Sequence, residues 1–120
     1  MIKIDSDVKK IIENNIIAFS TINKSNKPNV IAIAYAKVIS NNQILVTDNF
    51  MKQTKENLVL NNNICLAVWD KNWNGYKISG TAQYFIDGQW KKYIENMSKN
   101  KGLPTKGAIL INISELNKLS

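Results

Sequence analysis

The chain has 120 residues, 44% of them hydrophobic and 21% charged, with a formal net charge of +7. That is enough for one globular domain over residues 1–120 with a real core, and no apolar run approaches the roughly 20 residues needed to span a bilayer. All 16 basic residues are lysine, arginine and histidine are absent, and Cys65 is the single cysteine, which removes imidazole acid–base chemistry, Ser-His-Asp and Cys-His catalysis, a zinc site within one chain and guanidinium clamps on phosphate.

No catalytic side chain and no metal-ligand set stands out, so demanding chemistry points to a cofactor. The lysines are dispersed, as on a solvated surface. The start of the chain has no signal-peptide layout, because acidic residues stand where an apolar segment belongs. Cys65 sits in the apolar run 64–68, which predicts a buried, inert thiol in a reducing compartment. Both readings place the protein in the cytoplasm.

In chain order, Asp5 or Ser6 can cap a first helix running to about Asn14, with Val8, Ile11 and Ile12 at helical spacing. Residues 16–22 read as a strand. The Asn- and Ser-rich segment 23–28 reads as a turn closed by Pro28. Residues 29–38 read as one longer strand, paired with the first as a hairpin. Its alanines alternate (Ala32, Ala34, Ala36), leaving room on one face for a packed helix, a partner subunit or a flat ring. A turn at 40–42 leads into a third strand, 43–47. A helix is predicted from Thr54 to Leu60, ended by Asn61, Asn62 and Asn63, residues tolerant of left-handed backbone. Residues 64–69 form an apolar, central fourth strand. The fifth strand, 76–86, carries Gly80 in mid-run, the mark of a bulge. A helix from Asp87–Gly88 to Met97 places Trp90 and Tyr93 as core, and the last strand is 108–113, followed by a terminal turn. Six strands joined by hairpin turns give a mainly β (α+β) antiparallel barrel, with short helices filling its ends and gap.

The stretch 48–58 joins the third strand to the second helix. A polar loop opening a helix that carries lysine and threonine is anion-receptive, because free backbone donors and the positive end of the helix dipole meet there. The alternative is a plain strand–loop–helix connection with solvated lysines.

The ordered set of segments Lys27-Pro28-Asn29-Val30, Ala36-Lys37-Val38, Ile44-Leu45-Val46-Thr47-Asp48-Asn49-Phe50-Met51, Thr54-Lys55-Glu56-Asn57-Leu58, Ala67-Val68-Trp69-Asp70 and Gly75-Tyr76-Lys77-Ile78-Ser79-Gly80-Thr81-Ala82 resembles the FMN-binding split β-barrel proteins related to pyridoxamine 5′-phosphate oxidase. The likeness is closest to the short, single-domain FMN-binding members. It implies a split barrel with Greek-key character and a homodimer holding FMN at its interface. It also implies an oxidoreductase or electron-transfer role with a small-molecule or protein redox partner, and neither nucleic-acid nor membrane binding. The cofactor contacts it implies are Val46, Thr47, Asp48, Asn49 and Met51 along the ring and ribityl chain, Ala32, Ile33 and Ala34 behind the ring, and Pro104 toward the partner's flavin. For the phosphate it implies Thr54 and a lysine. The family's lysine directly precedes the threonine, where this chain has Gln53, so Lys52, Gln53 and Lys55 are the candidates. The missing arginine and histidine point away from pyridoxamine phosphate oxidation itself. The competing reading is a non-catalytic module for another anion: a deazaflavin, haem (disfavoured without histidine) or nucleic acid stacked on Trp73, Tyr76, Tyr84 and Trp90.

Overall fold

The computed structural model describes residues 2–119. Asp5 caps the first helix, α1 (Ser6–Asn14), its carboxylate accepting from the backbone N–H groups of Asp7 and Val8. The strands are β1 (Ile17–Ile22), β2 (Pro28–Ile33), β3 (Ala36–Ser40), β4 (Gln43–Asp48), β5 (Asn63–Trp69), β6 (Gly75–Phe85) and β7 (Gly107–Lys118). Two more helices, α2 (Thr54–Leu60) and α3 (Gly88–Glu95), and a short 3-10 turn, Ser98–Asn100, complete the elements.

All seven strands form one antiparallel sheet in the order β2-β1-β5-β6-β7-β4-β3. β4 lies beside β7 although β5 and β6 intervene in sequence, which is the Greek-key arrangement. β2 and β3 stand at opposite edges of the sheet, yet only Ala34 and Tyr35 separate them in the chain. The sheet must therefore curl until its two edges nearly meet, and they do not pair. The six-strand expectation is corrected at this corner: the single strand 29–38 breaks into β2 and β3, because residues 34–35 carry the chain from one edge to the other.

The curled sheet encloses the main core. Ile17, Phe19, Ile44, Leu66, Val68, Ile78, Ile109 and Ile111 fill it, and Val8 and Ile12 of α1 and Leu58 of α2 enter it as plugs. Helix α1 thus buries its apolar face in the core, as the spacing of Val8 and Ile12 predicts. A second cluster forms on the other side of the sheet. There Ile94 of α3 packs with Leu45, Ala108 and Leu110, and half-buried Trp90 and Met97 lie against them. Tyr93, expected as core, is 39% exposed, because its ring leans on Trp90 at the edge of that cluster.

Three other expectations change. Asn61 ends α2 in extended rather than left-handed backbone, leading straight into β5. β5 alternates instead of burying both faces, so Cys65 is half-buried, its Sγ 3.8 Å from the Ser79 hydroxyl. β7 continues five residues past Ile113, since β6 offers partners as far as Tyr76↔Lys118. The bulge falls at Gly80, where the β6–β7 register shifts and a Cβ would collide with the Asn112 carbonyl.

Candidate functional site

A cleft of about 810 Å³ opens along β2. One wall is β2 with the corner after it: Asn29, Ile31, Ala32, Ile33, Ala34 and Tyr35. The other is the loop between β4 and α2: Asn49, Phe50, Met51, Lys52, Gln53 and Thr54. Thr47, Lys99, Asn100 and Leu103 complete the lining. The cleft has a direction. Asn57 of α2 donates to the Thr21 hydroxyl at 2.9 Å, and Thr21 pairs with Asn29, so α2 sits at the Asn29 end. β4 runs beside β3 with Val46 opposite Ala36, so the loop leaves β4 at the Tyr35 end. The loop therefore spans the cleft lengthwise. Asn29 and Ile33 alone lie about 13 Å apart at the strand rise, and Tyr35 lies beyond them.

The loop is fixed from behind. Asp48 is 2% exposed. Its carboxylate accepts from the Tyr84 hydroxyl at 2.6 Å and from the Met51 N–H at 2.9 Å, and the Lys106 ammonium is 3.8 Å away. The same ammonium donates to the Met51 carbonyl at 2.7 Å. The Asn49 side chain accepts from the Thr105 N–H at 2.8 Å. Burial, and then the hydrogen bond and charge of Asp48, push the Tyr84 phenol far above its usual range, so it is a fixed donor.

The expected contacts divide on this geometry. Ala32, Ile33, Ala34, Thr47, Asn49, Met51, Lys52, Gln53 and Thr54 line the one cleft. Val46 does not: it is 1% exposed and belongs to the main core. Asp48 is the loop's buried anchor rather than a wall. Pro104 is exposed outside the cleft, while Leu103 before it lines the mouth. Of the phosphate candidates, Lys55 stands 5.5 Å from the centre of the Tyr84 ring and is not part of the lining, whereas Lys52 and Gln53 are. Tyr35, Phe50, Lys99 and Asn100 are additional wall residues. Tyr35 marks the corner between two strands, which an unbroken β pattern hides. Lys99 and Asn100 sit on a 3-10 turn that leaves no periodic trace.

The donor set suits a phosphorylated, planar ligand. Thr54 is 2% exposed, yet its hydroxyl makes no side-chain hydrogen bond among the described residues. No fully buried side-chain polar atom there lacks a partner, so this hydroxyl opens on the cleft. Gln53 makes no side-chain cap to α2. Among the described lining residues there are two ammonium groups and no carboxylate. On the β2 wall Ala32 and Ala34 present small side chains, while Ile33 turns its side chain into the main core, 7% exposed.

A family model described as pyridoxamine 5′-phosphate oxidase matches residues 4–120. The chain belongs to that family. An uncharacterised protein of Methanocaldococcus jannaschii is 32% identical over 123 residues, covering 99% of this chain and 83% of the relative. Two solved structures share the fold. The HupZ protein of Group A Streptococcus has a TM-score of 0.88 at 20% identity, over 96% of this chain and 93% of that one. An FMN-binding protein from Syntrophomonas wolfei has a TM-score of 0.75 at 18% identity, over 93% of this chain and 83% of that one.

Proposed function

We propose that the cleft holds flavin mononucleotide and that the protein is an FMN-dependent redox protein, an oxidoreductase or electron carrier. The observation that carries this reading is the convergence of nine residues, expected from sequence to touch FMN, on the walls of one cleft. Family membership and the likeness to an FMN-binding protein support it. Bound there, the flavin supplies hydride or electron transfer. The chain supplies binding and orientation. Lys52, Gln53 and the Thr54 hydroxyl hold the phosphate with charge-assisted hydrogen bonds. Ala32 and Ala34 pack against the ring, with Met51 opposite. Thr47 and Asn49 are already engaged with Asn100 and Thr105, and so present fixed edges to the ligand.

The same reading makes the protein a homodimer. Ala18, Ala32 and Ala67 form one cross-strand row of small side chains on the outer sheet face, none of them buried. Phe50 stands 71% exposed at the cleft rim. A second copy laid on that face covers both, and Pro104 then serves the partner copy's ligand. The test is the visible absorption spectrum of the purified protein after exposure to FMN, followed by reduction with NADH or NADPH. Near-stoichiometric flavin absorbance is expected. A protein that stays colourless with excess FMN overturns the proposal, and uptake of a deazaflavin in preference to FMN would replace the cofactor.

A further inference from the structure

A second cavity, of about 570 Å³, lies between α1 and the turn that joins β5 to β6. Asp7, Lys10, Trp73, Asn74, Tyr76 and Lys118 are among its walls, and it shares no residue with the cleft. Of the four aromatic residues that the sequence offers for stacking, Tyr84 is bound to Asp48 and Trp90 packs in the second cluster, so Trp73 and Tyr76 alone meet in one cavity. Trp73 is held out against its own backbone preference. Its φ of +65° is left-handed, which suits glycine or asparagine and disfavours a bulky side chain. The turn enforces it. The Asp70 carboxylate accepts from the Asn72 and Asn74 N–H groups at 2.9 and 3.0 Å, and the Trp73 N–H donates to the Asp70 carbonyl at 3.1 Å. The indole gains little burial in return, since Trp73 is 75% exposed. One face stacks on Trp69, with the rings 8° from parallel and their centres 6.4 Å apart. A strained, exposed aromatic side chain where glycine would fit the turn points to a role outside the fold.

The polar groups around the indole carry both signs. In a chain of net charge +7, this lining balances two ammonium groups, Lys10 and Lys118, against two carboxylates, Asp7 and Asp70. Asp70 is occupied by the turn. Asp7 makes no ion pair among the described residues, although Lys10 stands on the same helix one turn on, and neither lysine is paired there. We propose that this cavity binds an uncharged purine base of the guanine type, at a site independent of the flavin. The base extends the Trp69–Trp73 stack on the open indole face. Its adjacent N–H donors meet the Asp7 carboxylate, and its carbonyl and ring-nitrogen acceptors meet the Lys10 or Lys118 ammonium. Adenine lacks that adjacent pair of donors, and a lining of balanced charge favours a neutral ligand over a phosphate.

The test is a guanosine titration followed by NMR through the indole N–H resonance of Trp73, assigned by its loss in Trp73→Gly. A saturable shift is expected, with the same midpoint before and after addition of excess FMN. Adenosine should bind about tenfold more weakly, and Asp7→Asn should weaken guanosine by about the same factor. Trp73→Gly, followed by calorimetry, should lose about tenfold or more in guanosine affinity, while its urea midpoint holds or rises because the left-handed position is relieved. A lower midpoint with guanosine affinity unchanged would make Trp73 a structural residue and overturn the proposal. So would no shift with guanosine, equal affinity for adenosine, unchanged affinity in Asp7→Asn, or displacement of guanosine by FMN. If FMN fails to bind at all, the flavin-free titration still reads this cavity.

Discussion

At the scale of single residues, Asp48 holds the loop after β4 from behind. The family resemblance implies that it touches the ligand. The structure instead gives its carboxylate the Tyr84 hydroxyl, the Met51 N–H and the nearby Lys106 ammonium. Those partners come from β6, the loop and the segment before β7, and no local pattern links them. Tyr84→Phe should cost about 1–3 kcal/mol in urea unfolding, since a buried carboxylate oxygen loses its partner. It should also change the alkaline limb of stability. The folded phenol is raised above its unfolded value of 10.0. Its stabilisation is then fully present below pH 10 and is lost as pH climbs toward the folded value, where the unfolded chain sheds the proton first. Urea midpoints measured from neutral pH upward should fall more gently beyond pH 10 in Tyr84→Phe than in the parent. Parallel slopes would show that the Tyr84–Asp48 bond does not set that limb.

At the scale of elements, much of the fold is legible. The first helix and its Asp5 cap, the second helix from Thr54, the hairpins and the Gly80 bulge all carry local signals: spacing, capping chemistry or a missing side chain. Two boundaries do not. β2 and β3 read as one strand because the run Val30 to Ala36 is apolar without a turn residue; the corner at Ala34 and Tyr35 is imposed by where the two sheet edges lie. The outer half of β7 is polar and reads as a turn, and only pairing with β6 holds it as a strand. The cleft inherits this division. Its β2 wall and loop were accessible from sequence, whereas Lys99 and Asn100 reach it through tertiary packing on Thr47. Gly80 offers a check on the bulge. Gly80→Ala drives a methyl into the Asn112 carbonyl and should cost about 1–3 kcal/mol or more by the usual overpacking penalty. A variant as stable as the parent would mean that the β6–β7 pairing can slide to make room.

At the scale of the whole molecule, the fold puts a curled sheet around an apolar core and leaves one long cleft along its edge strand. Among the described residues no helix is long and apolar enough to cross a membrane. The cation set is lysine only, with no histidine and a single cysteine, so imidazole acid–base chemistry is not among the means of this chain. The small-residue face beside the cleft should be covered in solution: light scattering is expected to return twice the chain mass of 13.6 kDa, and a flavin-loaded monomer would remove the interface from the account. The most direct measurement is an FMN titration of the parent beside the Lys52→Ala/Thr54→Ala double variant. The parent should saturate near one flavin per chain, and the variant should lose a few kcal/mol of affinity as charge-assisted bonds to the phosphate disappear. Equal affinities in the two proteins would contradict the placement of the cofactor in this cleft.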